Sequence, residues 1–172
     1  MLRETILLLA AVVFCFTAVG AQAPQTWQPY KSVEGRFSVS MPCKPEVQKQ
    51  AAEDGEDGAP ASVYHNCFGP NGSYIVTYSD FDVLLDSKSM LDAYTEGTRS
   101  NGTLISEKPI LLGRIPGREM VLATCDDGTS IIYKWHIYLS GKRMFAITAA
   151  SGDPVGNAAD VNKFLASFAI LR

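Results

Sequence analysis

Between residues 111 and 151 the apolar and polar positions alternate in three runs, and the rest of the chain is organised around this stretch. Residues 118–125, 131–139 and 142–150 are rich in Val, Ile, Thr, Tyr, Phe and Trp, and Asp126-Asp127-Gly128 and Ser140-Gly141 separate them. A period of two punctuated by such turns predicts an antiparallel meander. Upstream, Phe37, Val39 and Met41 alternate with serines in a short strand that Pro42 ends, and the three should share a buried face. Two more strands are predicted over 61–68 and 73–80, joined by Gly69-Pro70-Asn71-Gly72. In the second, Tyr74, Val76 and Tyr78 alternate with Ile75, Thr77 and Ser79, a pattern that predicts a central strand with cover on each side. Residues 103–112 read as a strand broken near Pro109, hence an edge or bulged element.

Two segments switch to helical spacing. Residues 87–100 place Met90, Leu91 and Tyr94 on one face, with Asp86 or Ser87 as N-cap and Asn101-Gly102 as stop. Asp153-Pro154 opens a last helix, whose stripe of Ala158, Val161, Phe164, Leu165 and Phe168 is expected to pack on the sheet. Its polar face, with Asp160, Asn162 and Lys163, carries too little positive charge for an interfacial helix. Residues 27–36 show no sustained period, apart from the turn at Glu34-Gly35, and residues 44–60 read as a polar loop around an acidic core at 53–58. The expected fold class is α+β, an antiparallel sheet of about six to seven strands with helices packed on its faces.

Composition adds a location. The chain has 172 residues, 47% of them apolar and 19% charged, enough to close a core and unlike a disordered segment. Arg3, the apolar run 6–19 and the small residues that follow form a secretory signal peptide, with cleavage expected after Ala21. That run is shorter than the roughly twenty residues a spanning helix needs. Phe14 before Cys15 departs from a lipoprotein signal. The expectation is therefore residues 1–21 as signal peptide and 22–172 as one exported domain, periplasmic or secreted, with no membrane span after cleavage. A net charge of −3 with bases clustered only at 114–118 and at Lys142-Arg143, both at turns, argues against nucleic acid as a partner.

Candidate chemistry is sparse. His65 and His136 lie in strand segments, and His65 and Cys67 fall on one side of a strand, but two ligands do not close a zinc site. The acidic stretch lacks the spacing and closing glutamate of a calcium loop. There is no Gly-x-Ser-x-Gly, and Gly113-Arg114-Ile115-Pro116-Gly117 lacks the Lys-Ser/Thr of a phosphate cradle. Asp80, Asp82, Asp126 and Asp127 sit beside turn residues, where solvated carboxylates are expected. Asn71-Gly72-Ser73 and Asn101-Gly102-Thr103 match the glycosylation acceptor pattern and are equally good turns. No catalytic residue, cofactor-binding residue or metal ligand is assigned, and no cofactor is expected. Cys43, Cys67 and Cys125 remain in the exported chain. If the strands beside Cys43 and Cys67 are antiparallel neighbours around the loop centred on Gly55, these two form a disulfide and Cys125 is left free.

A set of short motifs runs through the chain: Trp27 and Tyr30; Glu34-Gly35-Arg36-Phe37-Ser38-Val39 before Met41-Pro42; residues 113–119, GRIPGRE; Lys142-Arg143-Met144-Phe145; and residues 163–168, KFLASF. In these, over about residues 27–171, the chain resembles small exported bacterial proteins of unknown function related to the PsbP/Mog-like fold. The resemblance implies an antiparallel sheet with helices on its faces and an accessory or binding role, and it carries over no functional residue. Two function classes follow. One is a non-enzymatic binding or accessory module of the cell envelope or secreted fraction, with an unknown protein or small-molecule partner. Tyr64, Tyr78, Tyr133, Trp135 and Tyr138 would then lie on strands that expose a face, the alternative being that they are core. The other is a hydrolase with a dispersed site, which needs His65 or His136 in a pocket beside a carboxylate or hydroxyl.

Overall fold

Alternating patterns become strands in chain order: β1 (Gln28–Ser32), β2 (Phe37–Met41), β3 (Glu46–Gln50), β4 (Ser62–Gly69) and β5 (Gly72–Asp80). Helix α1 (Ser87–Arg99) follows, then β6 (Thr103–Leu112), β7 (Ile115–Asp126), β8 (Thr129–Ser140), β9 (Arg143–Ser151), α2 (Ala158–Ala166) and β10 (Ala169–Ile170). The computed structural model describes residues 26–52, 60–69, 72–126, 129–152 and 158–171. The expected signal peptide, the acidic core of the 44–60 loop and the Asp153-Pro154 helix start lie outside these residues.

Seven strands form one antiparallel sheet in the order β3-β4-β5-β9-β8-β7-β6, and β1-β2-β10 form a second. One face of the large sheet is covered by the small sheet and α2. Phe37, Val39 and Met41 of β2 pack there with Tyr74, Val76 and Tyr78 of β5, Phe145 and Ile147 of β9, and Phe164, Leu165 and Phe168. On the opposite face α1 crosses β7 and β8. Its Leu91 is buried on Met120, Leu122, Ile137, Leu139 and Met144. The Asp86 side chain accepts from the Ser89 amide at 2.8 Å, which satisfies one of the open N–H groups at the helix start.

Three expectations change. The architecture is richer in sheet than expected, two sheets with only two helices among the described residues. Segment 28–32 pairs with β2 as β1, and 46–50, read as loop, pairs with β4 as β3. All five residues of β3 are exposed, so no buried face imposes alternation and backbone pairing alone defines the strand. Finally, β2 and β4 are not neighbours; they belong to different sheets. Cys43 and Cys67 are nonetheless joined by a disulfide, with Cα atoms 5.8 Å apart, because Cys43 lies between β2 and β3, and β3 pairs antiparallel with β4. Cys125 is free and exposed.

Candidate functional site

The covered face absorbs both histidines. On β4, His65 is 3% exposed and packs against Tyr30, Phe37 and Tyr78. Its Nδ1 shares a hydrogen bond with the Tyr30 hydroxyl at 3.0 Å. Burial holds its pKa below the ordinary histidine value, with the Glu34 carboxylate pulling weakly the other way.

His136 has the neighbours a hydrolase would need. Its Nε2 lies 2.7 Å from Glu119 Oε2, and the Tyr138 hydroxyl lies 3.3 Å from its Nδ1. The carboxylate bonded to Nε2 makes that nitrogen the N–H donor, so Nδ1 accepts from Tyr138. Glu119 is also met by Lys108 at 2.9 Å and Lys134 at 3.3 Å. Burial alone would raise the Glu119 pKa, but these two lysines and His136 outweigh it and hold it down at about 2. Burial also lowers the His136 pKa, against the pull of Glu119. The hydroxyl in this chain cannot meet a substrate. Tyr138 is 4% exposed, stacks on Phe168, and burial pushes its pKa up to about 12, with Glu119 adding to the rise. Gly117 makes that packing possible, since a Cβ there would lie 2.5 Å from the Tyr138 ring. The cluster is one nearly buried carboxylate, Glu119, satisfied by its three partners on the sheet.

Across the sheet the picture differs, because α1 covers only part of the second face. Register gives three consecutive cross-strand rows there: Phe68, Ser73, Ala150 and Tyr133; Asn66, Ile75, Thr148 and Trp135; Tyr64, Thr77, Ala146 and Ile137. The two middle strands, β5 and β9, place mostly small residues in these rows. The flanking strands, β4 and β8, raise Phe68 and Tyr64 on one side and Tyr133 and Trp135 on the other. Tall walls on a low floor make a trough. Rows repeat every two residues, about 6.7 Å, so from Ser73 to Ser79 it runs about 20 Å, with wall strands about 14 Å apart. Phe81, Met90 and Tyr94 close it at the α1 end, and the enclosed part holds about 390 Å³. Tyr133 and Trp135 stack with ring centroids 5.2 Å apart, forming a continuous aromatic wall.

Among the described residues, no charged side chain lines this trough. The two charged cavities are different. One, of about 280 Å³, holds Arg36, Asp80, Lys142 and Arg143, and the other, of about 400 Å³, holds Glu34, Lys49, Asp80 and Arg143. Arg143 is already committed to both Asp80 oxygens at 2.6 Å, and Lys49 to Glu34 at 2.8 Å. A broader concavity of about 800 Å³ beside β10 offers, among the described residues, Arg114 and Ser140 as polar side chains. The trough therefore has the most side-chain definition, and it lies in the size range of ligand sites.

Of the aromatics singled out in the sequence, Tyr64, Tyr133 and Trp135 stand half-buried on the open face, while Tyr78 and Tyr138 are core. Sequence reading missed the floor. The signal was present in β5, where Tyr-Val-Tyr on one face contrasts with Ile-Thr-Ser on the other, a difference between full cover and partial cover.

The two stacked sheets with one helix on each side of the large one define a PsbP-like fold. The solved structure of cyanobacterial PsbP (CyanoP) from Synechocystis sp. PCC 6803 matches 90% of this chain and 98% of its own, with a TM-score of 0.52 at 10% identity. A protein from Bacteroides thetaiotaomicron VPI-5482 matches 80% of this chain, with a TM-score of 0.51 at 15% identity, and this chain spans 46% of its length. LpqN, involved in cell envelope biogenesis of Mycobacterium tuberculosis, matches 86% of this chain and 91% of its own, with a TM-score of 0.44 at 13% identity. No protein-family model and no curated protein matches the sequence.

Proposed function

We propose that this chain is an exported, non-enzymatic binding module of the cell envelope or secreted fraction, with an uncharged ligand seated in the trough on the open face of its sheet. The observation that carries this reading is the shape and chemistry of that face: small floor residues, aromatic walls and, among the described residues, no charge. Binding sites of this kind are mainly apolar with a few polar groups. Export is supported by the apolar N-terminal run and by the Cys43–Cys67 disulfide, which an oxidising compartment favours. None of the helices among the described residues is long and apolar enough to cross a membrane. The hydrolase reading would have to run through His136, whose hydroxyl partner is core.

A photo-crosslinking phenylalanine analogue at position 135, in the protein expressed in an exporting host, tests the proposal. Activated in intact cells, it should give an adduct of discrete small mass, and Thr148→Phe, which fills the floor, should abolish it. The same analogue at Lys88, exposed on α1, is the control. No adduct at 135, or an equal adduct at 88, would overturn the reading.

A further inference from the structure

We propose that the trough ligand is a neutral lipid with a single long hydrocarbon chain, laid along β5 and β9 with its head group at the Phe68 end. This rests on the binding reading above and specifies its ligand.

The argument starts with what the lining lacks. An ionised group buried against it would find no counter-charge among the described lining residues, a cost that uncharged ligands avoid. Directional polar partners are also few. The Ser62 and Ser79 hydroxyls are hydrogen-bonded to each other at 2.7 Å, and the Tyr64 hydroxyl donates to Gln50 at 3.0 Å. Ser73, Thr77 and Thr148 add one hydroxyl each, Tyr94 a phenol at the closed end and Asn66 a carboxamide that is 8% exposed, to a surface that is otherwise methyl, thioether and aromatic. A sugar needs a polar partner for most of its hydroxyls, and leaving them unpaired on burial is costly, so a glycan fits poorly. A hydrocarbon chain asks for none.

Shape gives the direction. The trough is about 20 Å long, much longer than deep, and suits an extended chain rather than a compact ring. Met90, Tyr94 and Phe81 stop it at the α1 end. At the other end Phe68 is 66% exposed although its neighbour Cys67 is buried. A large aromatic ring held in water at the mouth of an apolar trough is explained by an amphiphile passing over it, chain inward and head outward. A neutral head suits this mouth, since Phe68, Ser73, Ala150 and Tyr133 bring no charge of their own.

The experiment uses Trp27→Phe protein, which leaves Trp135 as the single tryptophan. Titration with 1-monooleoylglycerol below its aggregation threshold should shift Trp135 emission to the blue and saturate at one lipid per chain. Glycerol and maltotriose should leave it unchanged. Thr148→Phe should weaken binding at least tenfold, and Phe68→Ser, at a position the core does not use, should weaken it several-fold with an unchanged melting curve. Saturation by maltotriose, or lipid binding that survives both substitutions, would overturn the proposal. So would a concentration-dependent dimer abolished by Thr148→Phe, because a second copy would then fill the trough. An adduct at position 135 in cells without any response to monooleoylglycerol would mean that the lipid class is wrong while the binding module stands.

Discussion

Glu119 shows how single residues on the covered face are settled. Three donors converge on one carboxylate that is 8% exposed, and its ionised form is the one the fold selects. Its pKa falls from the ordinary 4.5 to about 2, so the stability it supplies is complete above pH 4.5 and is lost as pH drops through 2. Glu119→Gln should cost about 2 to 3 kcal/mol at neutral pH and flatten the acid limb of stability between those values, as urea titrations at stepped pH would show. The histidines act in the same direction through a different form. His65 and His136 are both held below the ordinary 6.5 because burial disfavours the charged ring. The unfolded chain then takes up protons first, and stability falls as pH drops below about 6.5. Proton-detected titration should find both rings titrating below the ordinary histidine value, and a value above it for either would contradict their placement.

Among the elements, α2 is held by side chains rather than by its length. Phe164 is fully buried between Tyr74 and the helix, with ring centroids 5.3 Å apart, and Leu165 is nearly so. Phe164→Ala should cost about 3 to 5 kcal/mol, read from the thermal or urea midpoint, and an unchanged midpoint would place that stripe in solvent. The small sheet is held by β2 packing and by the Cys43–Cys67 bond. With a sequence separation of 24, that bond should add about 3 kcal/mol in the chain-entropy model, so Cys43→Ala/Cys67→Ala protein should melt lower by a corresponding amount. The two edges of the large sheet are guarded, and ten-residue β6, paired with β7 on one side, shows how. It carries a register shift between Leu104 and Ser106 and Pro109 in its middle, while β3 is short and exposed, and both features discourage edge-to-edge addition.

For the whole molecule, what could be read from the sequence was what alternation and turn residues control. The meander of β7, β8 and β9, the β4–β5 hairpin and α1 with its Asp86 cap all follow local rules. The division into two sheets does not, because β2 looks the same whether its buried face meets a helix or another sheet. The Cys43–Cys67 pairing was reachable, although the strand that lies antiparallel to β4 around that loop is β3, after Cys43, and not β2, before it. β1 and β3 escaped because their pairing partners, not their own patterns, define them. The trough was invisible for a related reason. Ser73, Thr77, Ala146 and Thr148 are unremarkable strand residues until register sets them side by side between Tyr64 and Trp135.

That juxtaposition is the central claim, and hydroxyl-radical footprinting tests it directly. The protein would be oxidised with and without a lipid-containing extract of the envelope, and modification followed residue by residue. Occupancy of the trough predicts protection of Tyr64, Phe68, Tyr133 and Trp135 together, with exposed Val33, in the turn between β1 and β2, unchanged. Protection centred on Glu119 and His136, or on the cavity between Arg36 and Arg143, with Trp135 as reactive as before, would contradict the account.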